Sequence, residues 1–267
     1  MNRINKLFQE KESHILSVFF TAGYPNLDDT VPTIEALAAA GVDLIEIGMP
    51  FSDPIADGST IQMSNGIALE NGFTLDLLFE QLADIRQRVD IPLILMGYLN
   101  PVVQYGIERF LAKAAEIGID GTILPDLPMY EYQNFYKAQY ERHDLRNIFL
   151  ITPQTSDARI REIDAVGEGF IYVVSTDATT GKTSGFGPNQ VAYFERIADM
   201  QLKNPTLIGF GIHDNETFSQ AAQHAKGAII GSAFIKALGK NGSIEERVGA
   251  FVRLIRGEGE SVLQDGP

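Results

Sequence analysis

A chain of 267 residues, 45% of them hydrophobic, can bury a large core, which excludes a disordered or miniature disulfide-stapled class. Its 35 acidic against 21 basic residues give a net charge of -14, a field that repels nucleic-acid backbones and anionic membranes. Cysteine is absent, so disulfides and thiolate metal sites are excluded, and neither a signal-peptide core in the polar start MNRINKLFQEKESH nor an apolar run of ~20 residues is found, so a soluble cytoplasmic protein is expected.

In chain order, an amphipathic helix is expected around Asn5 to Glu10, then a strand in HILSVFFTA and a helix in TVPTIEALAAAG. VDLIEIG reads as the second strand, with an inserted helix around Thr60 to Leu69 and another in LDLLFEQLADIRQRV. Strands in IPLILMGY, GIDGTILP, LRNIFLIT, GFIYVVST, NPTLIGFG and KGAIIGSA then alternate with the helical patterns IERFLAKAAEIG, MYEYQNFYKAQYER, ARIREIDAVG, NQVAYFERIADMQ and NETFSQAAQHA. A further short helix starts near Ser232.

Eight near-continuous apolar strands alternating with helices predict parallel pairing covered on both faces. At this length the economical closure is a single (β/α)8 TIM barrel over residues 1–267, with an extra N-terminal helix and short helices after strands 2 and 8. The alternative, an open doubly wound sheet, is weakened by the lack of GxGxxG after the first strand. The longest irregular connections follow strands 2 and 6, and barrels of this kind carry chemistry on loops at the C-terminal strand ends.

Two acids stand out in EIGMPFSDPIADGSTIQ. Alternation along VDLIEIG places Leu44, Glu46 and Gly48 opposite Ile45 and Ile47, so Glu46, at the end of the second strand, is aimed into an enclosed space. Taken alone, such a glutamate also fits a structural acid paired with a lysine. Asp57 follows beyond Pro50 and Pro54, which stiffen the loop, so two carboxylates can face one ligand; Asp53 reads as a brace of that loop. Phe19, Tyr98, Leu124, Tyr172 and Phe210 come from strand ends and converge on a flat apolar slot, although each also fits ordinary core. Gly211, Gly231 and Ser232 lie where barrels hold phosphate, after strands 7 and 8, and Gly181 in the sixth loop can close over that group; the same glycines also suit plain tight turns. Tyr130, Tyr132, Phe135 and Tyr136 fall on a helix and read as packing. His14, His143, His213 and His224 lack ligand spacing, so no metal site is expected, and Asp214 reads as a helix cap after His213. No lysine stands at a strand end, Lys182 being in a loop, which argues against a Schiff-base mechanism.

The run IEIGMPFSDPIADGSTIQ resembles the signature of the tryptophan synthase α subunit, and VFFTAGYP, LILMGYLNPV, GTILPDLP, GFGI and GAIIGSAFI extend the likeness over essentially the whole chain. The resemblance implies retro-aldol cleavage of indole-3-glycerol phosphate into indole and glyceraldehyde 3-phosphate, a step of tryptophan biosynthesis. It implies Glu46 and Asp57 as the catalytic pair, Phe19 and Leu124 as ring contacts, and Tyr172 close to Glu46. It further implies a β subunit that carries pyridoxal phosphate and receives the indole in an α2β2 heterotetramer, with no cofactor in this chain. The second loop, the PVV segment after Asn100, Asp126 and Pro128 would lie near that contact. The sixth loop departs from the family pattern at Thr176, Ala178 and Thr179 while keeping Thr180 and Gly181, and with Gly185 and Gly187 it remains a natural lid. A stand-alone indole-3-glycerol-phosphate lyase and a catalytically silent regulatory barrel are the competing readings.

Overall fold

The computed structural model describes residues 1–175 and 185–258. In chain order the elements are α1 (Arg3–Glu10), β1 (Ile15–Thr21), α2 (Thr30–Ala39), β2 (Leu44–Gly48), α3 (Ser59–Glu70), α4 (Leu75–Gln81), β3 (Leu93–Met96), α5 (Leu99–Tyr105) and α6 (Ile107–Glu116). They continue with β4 (Gly121–Ile123), α7 (Met129–Glu131), α8 (Lys137–Arg142), β5 (Arg146–Asn147), β6 (Phe149–Ile151), α9 (Asp157–Val166), β7 (Ile171–Val174), α10 (Pro188–Asp199), β8 (Thr206–Gly209), α11 (Asn215–His224), β9 (Gly227–Ile230), α12 (Ser232–Leu238) and α13 (Ile244–Arg256).

The strands pair in parallel in the order β5-β4-β3-β2-β1-β9-β8-β7-β6. The run read as one fifth strand is split at Ile148: its first piece pairs with β4 and its second with β7. Because β5 and β6 are consecutive in the chain, the ring closes through Ile148, whose amide donates to the Thr122 carbonyl at 2.9 Å. The fold is the (β/α)8 barrel expected from the alternating pattern.

Strand pleating separates two cores. Leu16, Val18 and Phe20 of β1, Ile45 and Ile47 of β2, and Val173 of β7 face the helices. Ile15, Leu44, Ile94, Ile148, Tyr172 and Ile229 face inward and fill the barrel. Helix α1 closes the lower end: Ile4 joins the inner cluster, and the Phe8 ring lies 5.7 Å from that of Phe170. The helix after β2 and the one after β9 form where expected, as α3 and α12.

Some local expectations change. The predicted helix LDLLFEQLADIRQRV stops at Gln81 and resumes as a tight 3-10 turn over Ile85–Gln87, which swings Arg86 beneath the barrel toward Asp120. Helix α5 was hidden by Pro101, yet in a first turn proline removes only an amide that has no helical acceptor. Between α7 and α8 the chain widens into a π-helix over Tyr132–Tyr136. Of the four aromatic residues read as packing, Tyr130, Tyr132, Phe135 and Tyr136, only Tyr132 is buried; Tyr130 and Phe135 are exposed, which corrects their reading as packing.

Candidate active site

Glu46 lies within β2, two residues before its end, with its side chain on the inner face and no exposed surface. Ser17 Oγ donates to its Oε1 at 2.8 Å, while Oε2 is buried without a partner among the described residues. Burial without a cation penalises the carboxylate form and pushes the pKa up to about 8, with the Ser17 hydrogen bond opposing the shift. A carboxyl that titrates near neutrality can both give and take a proton under working conditions.

Asp57 approaches from the β2–α3 loop. Its amide donates to the Pro54 carbonyl at 3.0 Å, and Gln62 Nε2 donates to its backbone oxygen at 2.8 Å, so the loop is tied to α3. The Tyr98 hydroxyl donates to Asp57 Oδ2 and accepts from the Ala56 amide, both at 3.1 Å. Desolvation raises the Asp57 pKa and the Tyr98 bond moderates the rise. Tyr98 thus presents a hydroxyl to the acid as well as a ring to the cavity wall, and burial together with Asp57 pushes its own pKa up to about 12. Asp53 is exposed and takes a hydrogen bond from Ser52, consistent with a loop brace.

Two adjoining cavities, of about 90 and 180 Å³, share Phe19, Asp57, Ile61, Met96 and Phe210 at the C-terminal strand ends. The smaller also meets Glu46, Tyr172, Gly211, Gly231 and Ser232; the larger is walled by Tyr98, Pro125, Leu150 and Val174. Larger hollows of about 420 and 520 Å³ lie against α9, the first with α10 and the second with α7, open to solvent and away from the strand ends. Enclosure and the unpaired acid, rather than volume, mark the site.

Leu124 lies in neither cavity. Alternation along β4 places Ile123 inside, and Leu124 one residue on packs in the outer cluster, so it is removed from the ring contacts. Gly181, with Thr176, Ala178, Thr179, Thr180 and Lys182, falls outside the described residues. Sequence reasoning missed Met96, Leu150 and Val174, although each stands two positions beyond an inward residue at a strand end and was reachable by the same alternation. It also missed Ile61 and Asn65, four residues apart on one face of α3, and Pro125 in the loop after β4, where no simple period applies.

Backbone geometry shapes the upper edge. Phe210 has φ +70°, a left-handed conformation unusual for a bulky residue, and Ser175 Oγ holds its carbonyl at 2.8 Å; Gly211 follows at φ +77°. A side chain on Gly48 would come within 2.6 Å of the Phe19 ring, and one on Gly209 would collide with the Tyr172 hydroxyl. The Tyr172 and Phe210 rings meet edge-on at 6.2 Å. His213 is half exposed beside Asp214, whose side chain accepts from the Thr217 amide and caps α11. No cluster of three metal-ligating side chains occurs among the described residues.

Fold and site together define a (β/α)8 barrel with a buried acid beside largely apolar cavities at the C-terminal strand ends, the arrangement of a barrel enzyme. The sequence profile described as tryptophan synthase alpha chain matches residues 5–260. Tryptophan synthase alpha chains of Flavobacterium psychrophilum and Christiangramia forsetii are 62% and 58% identical, over 91% and 96% of this chain and 95% and 99% of theirs. The crystal structure of tryptophan synthase subunit alpha from Legionella pneumophila superposes with a TM-score of 0.87 at 34% identity, covering 97% of this chain and 98% of that one. The chain belongs to the tryptophan synthase alpha chain family and is a carbon-carbon lyase of tryptophan biosynthesis that cleaves indole-3-glycerol phosphate.

Proposed function

We propose that Glu46 is the proton shuttle of this cleavage and Asp57 its electrostatic partner. Protonation of the indole carbon that bears the glycerol phosphate chain puts positive charge on the ring nitrogen. Loss of the proton from the adjacent hydroxyl then drives carbon-carbon cleavage: the hydroxyl becomes the aldehyde of glyceraldehyde 3-phosphate, and the bonding pair returns to the ring to restore indole. One glutamate that gives the first proton and takes the second ends the turnover unchanged. The observation that carries this reading is the buried Oε2 of Glu46, unpartnered beside the cavity on a carboxyl whose pKa is pushed up to about 8.

Asp57, held by Tyr98, accepts the indole N-H and stabilises charge developing on the ring. Phe19, Tyr98, Tyr172 and Phe210 bracket the ring from the walls of the two cavities. The phosphate lies at Gly211, Gly231 and Ser232; at Gly211 and Gly231 there is no side chain between backbone and ligand.

The indole passes to a β subunit that carries the pyridoxal phosphate, in an α2β2 heterotetramer in the cytoplasm, and this chain is one barrel domain without a cofactor of its own. Ile55, Val103, Tyr130 and Phe135 support such a partner: these exposed apolar side chains follow three neighbouring strands, β2, β3 and β4. Among the described residues no helix is long and apolar enough to cross a membrane.

Purified chain incubated with indole-3-glycerol phosphate should release indole, faster with a β subunit; equal rates with and without it favour the stand-alone lyase. Retention of full activity by Glu46→Gln would overturn the shuttle assignment.

A further inference from the structure

Ser17 stands in the inward row of β1, between Ile15 and Phe19, and is fully buried. Its surroundings inside the barrel include Ile15, Leu44 and Ile229. A hydroxyl at this depth requires an acceptor, and an aliphatic side chain would fill the place at no polar cost. Register determines what it finds: Ser17 lies opposite Leu44 and Phe19 opposite Glu46, so the serine reaches diagonally to the next inward residue of β2. There it donates to Oε1 at 2.8 Å, and the other carboxyl oxygen has no partner among the described residues.

We infer that Ser17 is a positioning residue for the reaction at Glu46, pinning one carboxyl oxygen so that the other alone is presented for proton exchange. The inference rests on the reading of Glu46 as the shuttle. The terminal torsion of a glutamate is soft and roughly two-fold, so a carboxyl in an apolar pocket has little else to hold its plane. One fixed donor removes that freedom before the substrate arrives. The same bond favours the ionised form against desolvation and so brings the two protonation states closer in energy, as a group that both gives and takes a proton requires.

Among the described residues no cation performs this task. The titratable groups facing Glu46 are Tyr172 from β7 and Asp57 from the β2–α3 loop, with Tyr98 of the β3–α5 turn behind Asp57; among the described residues no lysine or arginine lines either cavity.

The test compares Ser17→Val with Ser17→Thr, side chains of similar shape that differ by the hydroxyl, beside Glu46→Gln in the full chain. Indole release is followed from pH 5 to 10, and the Glu46 carboxyl is titrated directly by infrared difference spectroscopy. Ser17→Val should lower kcat at pH 7 by about tenfold with KM within about twofold, and should raise the Glu46 titration by about one pH unit. Ser17→Thr should recover most of both changes. Unchanged kcat and titration in Ser17→Val would overturn the inference, as would equal losses in the valine and threonine variants. Should neither variant fold, Ser17→Cys, with its weaker donor, must fall between wild type and Glu46→Gln in rate; a wild-type rate and titration there overturns the inference. Full activity in Glu46→Gln would instead overturn the shuttle assignment, so the two failures are distinguishable.

Discussion

The two ends of the barrel treat a buried carboxylate in opposite ways. Beneath the sheet, Asp120 is met by Arg86 at 2.5 Å and Arg3 at 3.2 Å and also accepts from the Leu93 amide at 2.9 Å. Nearby Asp43 binds Lys11 at 2.7 Å, Arg256 at 2.9 Å and the Leu16 amide at 2.8 Å, joining both ends of the chain to the first two strands. At the mouth, Glu46 is buried as deeply and receives one serine hydroxyl. A compensated buried carboxyl can stay charged and serve as architecture; an uncompensated one is driven toward its neutral form, the condition expected of a group that exchanges protons.

The comparison breaks if the two ends respond alike to mutation. The largest effect is expected at the lower end: Asp120→Ala leaves Arg86 without its anion and should lower stability by about 3 to 5 kcal/mol in urea melts, with activity per folded molecule retained. Glu46→Gln should do the reverse, keeping or raising stability while indole release falls at least ~100-fold. Tyr98→Phe removes the hydroxyl that joins Asp57 to the Ala56 amide and should lower kcat/KM by about tenfold without changing the melting curve.

The last effect is a slope, small over any one pH unit. Glu46 has a folded value near 8, above its ordinary 4.5, so between these pH values the unfolded chain has released a proton that the folded chain keeps. Stability attributable to Glu46 therefore falls as pH rises through that window, by roughly 1 kcal/mol per pH unit. Glu46→Gln should remove this contribution. Identical pH dependence of wild type and variant between pH 5 and 8 would show that Glu46 is ionised in the folded state and erase the contrast with Asp120.

Much of this was legible before folding was considered, for a local reason. Alternation in VDLIEIG places Glu46 inward because pleat period is a property of one strand, and the glycines at 211 and 231 follow from strand-to-helix turns. Leu124 failed because β4 is only three residues long, and one step past its end exchanges inner for outer face. Helix α13 carries a readable start in its Ser243 and Glu246 capping box, a signal that apolar periodicity alone passes over.

By itself the sequence determined the ring of eight βα units, the inward acid on the second strand and the stiffened loop that brings Asp57, since each depends on residues close together in the chain. Only the tertiary structure decided that the ring closes through Ile148, that Tyr98 reaches Asp57 with its hydroxyl, and that Ser17 holds Glu46. Those relations join residues 29 and 41 positions apart, and they exist only once strand register and barrel closure set which side chains share one enclosed space.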